Sequence, residues 1–273
     1  MNKERRIILA IPARLSSSRL PKKVLADIGG KSMIIRVLEQ CKLAMPIEDI
    51  FLCTDSEELR SIADKNNFKV IMTSKSCSSG SDRISSVVNN LVSLAWSNYQ
   101  NNEIISPTKL HYQNTAIINI QGDQPFLNPD IIKKMCLEFE KSKIFPKVVT
   151  PIYPLEKNDI HNPNVVKTLV SNQKLAIYFS RQALPFVRDT DKDAWYSKTK
   201  YWGHVGIYGY RSDILLKWRK LPFSNLENLE KLEQLRLIDN GININTFEVN
   251  EKSLSVDTFE QLEYARKIAT KLG

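Results

Sequence analysis

The chain has 273 residues, 42% hydrophobic and 25% charged, with 39 Lys and Arg against 30 Asp and Glu for a formal net charge of +9. That composition excludes wholesale disorder and leaves room for one large α/β domain or two small ones. The basic excess favours anionic partners, yet it is spread along the chain rather than gathered into a tail or an aromatic-interleaved block, which argues against nucleic acid and suits phosphorylated small molecules.

In chain order, Ile7 to Ile11 is a short apolar run that predicts a buried strand, broken at Pro12. The loop that follows carries Arg14, Ser16, Ser17, Ser18, Arg19, Lys22 and Lys23, just past the carboxyl end of a strand, where ligands bind in open α/β sheets. Gly29-Gly30 marks a turn before a helix over Ser32 to Ala44. A strand at Asp49 to Thr54, a helix at Ser56 to Asn66 with Ser56 as N-cap, and a strand at Lys69 to Thr73 follow. Asp82 to Ala95 reads as one helix. About 96–114 is polar and aperiodic, which suggests a surface insertion.

The alternation resumes with a strand at Ala116 to Gln121, a helix at Pro129 to Ser142 and a strand at Lys147 to Tyr153. Asn164 to Phe179 holds two β-like runs with no helix between them, an antiparallel extension within about 155–200 of the kind that serves as a dimer arm. His204 to Tyr210 reads as a strand, Leu226 to Asn240 as a helix closed by Gly241, Ile242 to Val249 as a strand and Thr258 to Lys271 as a helix. The pattern is that of an α/β fold, a mostly parallel sheet with helices on both faces, in a single domain over 1–273.

Four cysteines without CxxC pairs or metal-ligand spacing point to reduced, structural thiols in a cytosolic protein. No run is long enough for a signal-peptide core or a membrane span, so the expectation is a soluble, cytoplasmic protein. Gly29-Gly30-Lys31-Ser32 imitates the tail of a P-loop, but Leu25 stands where the leading glycine belongs, and no GxGxxG follows the first strand.

Each remaining candidate has a bland reading beside the functional one. The basic loop is either a solvated surface or a phosphate grip built from Arg forks and Lys point charges. Gln121-Gly122-Asp123-Gln124-Pro125 is either a plain turn or a loop that brings backbone and Asp123 to a ligand. Asp257 is either an N-cap paired with Glu260 or one of two separated carboxylates for a hard divalent cation. His204 at a strand start, Glu233 and Gln234 on a helix surface and Ser79 to Arg83 at a helix start are ordinarily structural.

The order of the motifs says more than any one of them. IPARLSSSRLPKKVL, SGSDR, NIQGDQP, NPNVVK, YFSRQALPF, HVGIYGYR, LEQLR and SVDTFEQLEYAR span nearly the whole chain and together resemble the 3-deoxy-manno-octulosonate cytidylyltransferases. The resemblance implies a Rossmann-like nucleotidyltransferase fold, a homodimer, and transfer of CMP from CTP to 3-deoxy-manno-octulosonate (Kdo) with release of pyrophosphate, for lipopolysaccharide synthesis. It implies that Arg14, Ser18, Arg19 and Lys23 hold the triphosphate, with Lys23 also catalytic, and that Arg83 and Gln121 recognise the nucleotide. Asp123 and Asp257 would ligate Mg2+, and Arg181, His204, Tyr208, Glu233 and Gln234 would line the sugar-acid pocket. Another acceptor, sialic acid or 8-amino-Kdo, is the nearest alternative; a non-catalytic nucleotide- or nucleic-acid-binding protein is the remote one. Two positions depart from the family pattern: Lys22 stands for a glycine, and Gln124 for an acidic residue. The first adds a cation near the phosphates and the second removes a carboxylate beside Asp123. The insertion at about 96–114 has no counterpart in that pattern.

Overall fold

The computed structural model describes residues 5–17, 19–97, 105–250 and 252–272. Ser18 and the middle of the expected insertion, 98–104, lie outside the described residues. These residues form two compact units, one drawn from Met1–Phe145, Gly209–Arg219 and Ser253–Gly273, the other from Pro146–Tyr208 and Lys220–Lys252.

The first unit begins with β1 (Arg6–Ala13), buried along nearly its whole length, as a run of branched apolar side chains covered on both faces must be. The strand runs on through Pro12, where the sequence suggests a break. β2 (Ile50–Thr54) pairs with it as far as Ala13, whereas β4 (Thr115–Asn119) pairs with it only to Ala10. At Pro12 the strand is therefore paired on one side alone, a setting that tolerates a residue without an N–H. β3 (Lys69–Met72) lies beyond β2, and the strands stand in the parallel order β3-β2-β1-β4.

Around these strands lie α1 (Met33–Lys42) and α2 (Glu57–Lys65), the second capped by the Ser56 hydroxyl, which accepts the Leu59 N–H. The single helix expected from Asp82 to Ala95 is two, α3 (Gly80–Ser86) and α4 (Val88–Ser97). The break has a local cause: the Ser86 hydroxyl donates back to the Arg83 carbonyl at 2.6 Å, competing with the helical ladder just before β-branched Val87. The described parts of the expected insertion are built into the fold. Trp96 is buried and donates its indole N–H to Thr115 Oγ1 at 2.9 Å, and α5 (Lys109–Gln113) opens with a Thr108/His111 capping box. α6 (Pro129–Lys141) follows β4, capped by Asn128 with proline at its first position.

The second unit begins with β5 (Val148–Pro154). β6 (Lys167–Val170) and β7 (Ala176–Ser180) form the antiparallel pair read from the sequence, and β8 (Trp202–His204) runs antiparallel to both β5 and β6. The expected strand from His204 to Tyr210 is interrupted. After β8 the Ile207 N–H turns back onto the Val205 carbonyl at 2.6 Å, a three-residue turn that ends the ladder. The chain then enters β9 (Tyr208–Arg211), beside β4, and α7 (Ser212–Lys217), which return it to the first unit.

The expected helix over Leu226 to Asn240 is α8 (Asn225–Glu230) and α9 (Leu235–Asp239), parted at Lys231 with φ 54°. The break allows a buried pair that a continuous helix would not: Arg236 donates from two nitrogens to Glu227 at 2.7 and 2.6 Å. Glu233 and Gln234 consequently sit in the connecting turn, not on a helix face. Gly241, with φ 67°, closes α9 as expected. β10 (Ile244–Glu248) runs parallel to β5, and α10 (Phe259–Leu272) completes the first unit.

Candidate active site

The carboxyl ends of β1 and β4, the start of α3 and the segment before α10 surround a cleft of about 270 Å³ in the first unit. Its lining includes Arg14, Ser16, Ser17, Arg19, Lys23, Ser79, Gly80, Arg83, Gln121, Gly122, Asp123 and Asp257. Lys23 and Asp257 are 234 positions apart in the sequence, yet all the described candidates for triphosphate, nucleotide or metal meet here. Pro12 and Cys77 join them, with no sequence signal to mark either.

Gly122 makes the approach of the β4 loop possible. A Cβ there would come 3.1 Å from the Pro12 carbonyl, so glycine lets this loop lie directly on the end of β1. Asp257 reaches the same place through a buried cluster of Ile28, Met33, Val256, Leu262, Ala265 and Ala269. Burial of each larger member is worth roughly 1.5–3 kcal/mol. The Val256 N–H also donates to the Asp123 carbonyl at 2.9 Å.

Asp257 does not cap α10. The cap is Thr258, whose hydroxyl accepts the Gln261 N–H at 3.3 Å while the Gln261 side chain accepts the N–H groups of Thr258 and Asp257 at 3.0 and 2.7 Å. This Thr258/Gln261 box replaces the Asp257/Glu260 pairing and frees the Asp257 carboxylate for the cleft.

At the centre, Lys23 Nζ donates to Asp123 Oδ2 at 2.7 Å and to Asp257 Oδ1 at 2.8 Å. Burial works against the ammonium, but the charges and hydrogen bonds of Asp123 and Asp257 outweigh it and raise its pKa. Arg19, 69% exposed, stands 3.6 Å from Asp257 and keeps most of its donors toward solvent. Arg14 is exposed on the cleft wall.

Arg83 is buried and already engaged, bonding Thr73 and, at 3.2 Å, Asp55. It lines the cleft as a fixed positive wall. Gln121 donates to Asn119 at 3.3 Å and offers the cleft a neutral amide.

The sugar-acid candidates lie in the second unit. His204 Nε2 is 3.2 Å from Thr150 Oγ1, and its ring lies between Phe179 and Tyr208 with centroids at 5.0 and 5.2 Å. Burial pushes the imidazolium down to about 3, so the ring is neutral at ordinary pH. Tyr208 and Gln234 are buried, and Gln234 Nε2 has no hydrogen-bond partner among the described residues. Glu233 is half-buried in its turn. Arg181 is anchored by the backbone: its guanidinium donates to the carbonyls of Glu230 at 2.9 Å and Pro163 at 3.0 Å.

Residues 8–253 match the profile of a cytidylyltransferase family. A 3-deoxy-manno-octulosonate cytidylyltransferase of Chloroherpeton thalassium is 34% identical over 97% of this chain and 98% of its own. One of Polynucleobacter necessarius is 36% identical over 97% and 96%. The chain belongs to the 3-deoxy-manno-octulosonate cytidylyltransferase family. The solved structure of a CMP:2-keto-3-deoxy-manno-octonic acid synthetase complexed with CTP is similar too, with a TM-score of 0.83, 32% identity and coverage of 98% and 100%. A Leptospira borgpetersenii cytidylyltransferase, 15% identical with a TM-score of 0.55, shares the fold.

Within this family the two departures find different explanations. Lys22 has φ 53°, a left-handed backbone that suits glycine, and its ammonium pairs with Glu58 at 3.3 Å on an exposed surface. It lines no part of the cleft and adds no cation to it. Gln124 is turned into the interior at 5% exposure, with Oε1 unpartnered among the described residues. An ionised carboxylate at that depth would need a partner, so the amide is the less costly occupant.

The donor set fits a hard divalent cation. Oxygens of Asp123 and Asp257 already converge on one cationic atom, Lys23 Nζ. Two carboxylates are the usual protein share for magnesium, the rest of its shell being phosphate oxygens and water, and the described residues hold no group of three or more potential ligands.

Proposed function

We propose that this chain transfers CMP from CTP to the anomeric hydroxyl of Kdo, releasing pyrophosphate, with the cleft of the first unit holding the nucleotide. The observation that carries this reading is the convergence of Lys23, Asp123 and Asp257 under a loop of exposed cations. Arg14 and Arg19 have free donors for triphosphate oxygens, and Lys23 supplies a point charge beside them. The sugar hydroxyl attacks the α-phosphorus in line, the bond to the pyrophosphate oxygen breaks, and the hydroxyl proton passes to solvent water. Arg19 and Lys23 oppose the charge that builds on the leaving pyrophosphate. Asp123 and Asp257 would hold magnesium, which when bound neutralises phosphate charge and makes the hydroxyl more acidic. No side chain of the cleft needs to become covalently attached.

His204, Tyr208, Glu233 and Gln234 are assigned to the acceptor acid. Neutral His204 and the unpartnered Gln234 amide suit a polyhydroxylated ligand, because each offers hydrogen bonding without a charge. Arg181 is assigned with them: two of its guanidinium donors hold backbone carbonyls, and the others are left for a ligand carboxylate.

Dimerisation is assigned to the second unit. Ile177, Phe186 and Tyr196 are 50%, 71% and 48% exposed there and are the apolar side chains a partner would cover. Sedimentation should give twice the chain mass. A cytoplasmic location agrees with four free, buried cysteines, three of which burial pushes up to about 12. None of the described helices is long and apolar enough to cross a membrane.

The reading is tested by pyrophosphate release with CTP and UTP crossed against Kdo, 8-amino-Kdo and sialic acid. Release is expected from CTP with Kdo. Release with sialic acid in place of Kdo would change the acceptor, and silence with every acid would overturn the assignment.

A further inference from the structure

We propose that Thr150 is a positioning residue, holding His204 as the Nε2–H tautomer so that Nδ1 stands as a bare acceptor for a substrate hydroxyl. The inference rests on the reading that assigns His204 to the acceptor acid, and its chemistry comes from counting protons.

Thr150 lies on β5, fully buried, and its hydroxyl has one proton and two lone pairs. Its oxygen is 2.8 Å from the Ile207 carbonyl, which can only accept, and 3.2 Å from His204 Nε2. The proton must go to Ile207; sent to the imidazole, it would leave two oxygens 2.8 Å apart with no hydrogen between them. The threonine oxygen is then an acceptor toward His204, so the ring's proton sits on Nε2. Nδ1 carries a lone pair and, in a neutral ring, no proton. The carbonyl that sets this direction belongs to the turn that ends β8, so the break between β8 and β9 and the tautomer have one origin. Phe179 and Tyr208 fix the plane of the ring from two sides.

Such an acceptor prefers a hydroxyl donor and gives nothing to a deoxy carbon or a carboxylate. Thr150 thereby becomes a specificity determinant without touching the substrate, and valine, though equal in shape, would not replace it.

The experiment is nitrogen-detected NMR on 15N-histidine-labelled protein, with H204N to assign the resonance, alongside kinetics of Thr150→Val and Thr150→Ser. The wild-type spectrum should show His204 as a single Nε2–H form near neutral pH, a result independent of whether the Thr150 variants fold. In Thr150→Val the ring should populate both tautomers, and the KM for Kdo should rise by the reciprocal of the fraction left as Nε2–H, about two- to threefold, with the KM for CTP unchanged. Thr150→Ser should restore both. A wild-type Nδ1–H form, or a tautomer and acceptor KM unmoved in Thr150→Val, would overturn the proposal. Failure of the wild type to use any sugar acid, with the Nε2–H form present, would instead overturn the acceptor reading beneath it.

Discussion

Lys23 and His204 are both basic side chains enclosed by protein, one in each unit, and their surroundings drive them in opposite directions. Lys23 loses solvation but gains two carboxylates and stays charged past its ordinary range. His204 loses solvation with nothing to offset it and stays neutral down to about 3. The difference separates two recognition tasks. The first unit assembles balanced charge around a cleft, which suits a polyanion and its counterion. The second removes charge at His204 and sets a buried amide, Gln234, in the same candidate group, which suits hydroxyls.

The strongest way to break this comparison is to remove charge balance from the first unit. Asp257→Ala should lower turnover at least ~100-fold while leaving the fold intact, because Thr258 and Gln261, not Asp257, cap α10. Pyrophosphate release at saturating magnesium and a thermal melt measure the two halves of that statement. Turnover near the wild-type rate would take Asp257 out of the metal site.

Arg19→Ala should act on the nucleotide alone. Most of that side chain is exposed and its contact with Asp257 is long, so little stability is at stake. A loss of about tenfold in the KM for CTP, with the KM for Kdo unchanged, is the expected split. An unchanged CTP dependence would remove Arg19 from the triphosphate grip.

A subtler effect concerns Lys23 itself, which occupies the carboxylate oxygens that magnesium would use. Lys23→Gln should melt lower than wild type without metal and recover more when magnesium is added, by a few degrees, since ligand binding stabilises by mass action. Equal magnesium shifts in the two proteins would mean that lysine and cation do not compete for Asp123 and Asp257.

How much of this was legible beforehand depends on the distance over which each feature is determined. Apolar runs, the Ser56 cap and the Gly241 stop are local and stand where the sequence puts them. The breaks at Val87, Lys231 and Val205 to Ile207 follow from a serine bonding backward, a buried Glu227–Arg236 pair and a tight turn, none of which a periodicity can register. Asp257 is instructive because the better capping box, Thr258 with Gln261, begins one residue later in the same motif. The meeting of Lys23 with residues 100 and 234 positions away was carried by the order of motifs and not by any local pattern. Thr150 had no signal at all, since a threonine in a buried strand is unremarkable until its single proton is traced.

The smallest effect tests the neutral half of the comparison through pH. In the folded protein the His204 imidazole titrates near 3, against an ordinary value near 6.5 in the unfolded chain. Between those values the unfolded state binds the extra proton, so stability rises with pH through this window. The contribution is complete above about pH 6.5 and is lost as pH falls toward 3. Urea unfolding at pH 7.5 and 5.5 should therefore show wild type losing roughly 1 kcal/mol more than His204→Asn, which lacks the titration. If both lose stability equally, the folded ring takes up its proton at the same pH as the unfolded chain and is charged below about pH 6.5. The second unit would then present a cation to its ligand, and the contrast with Lys23 would disappear.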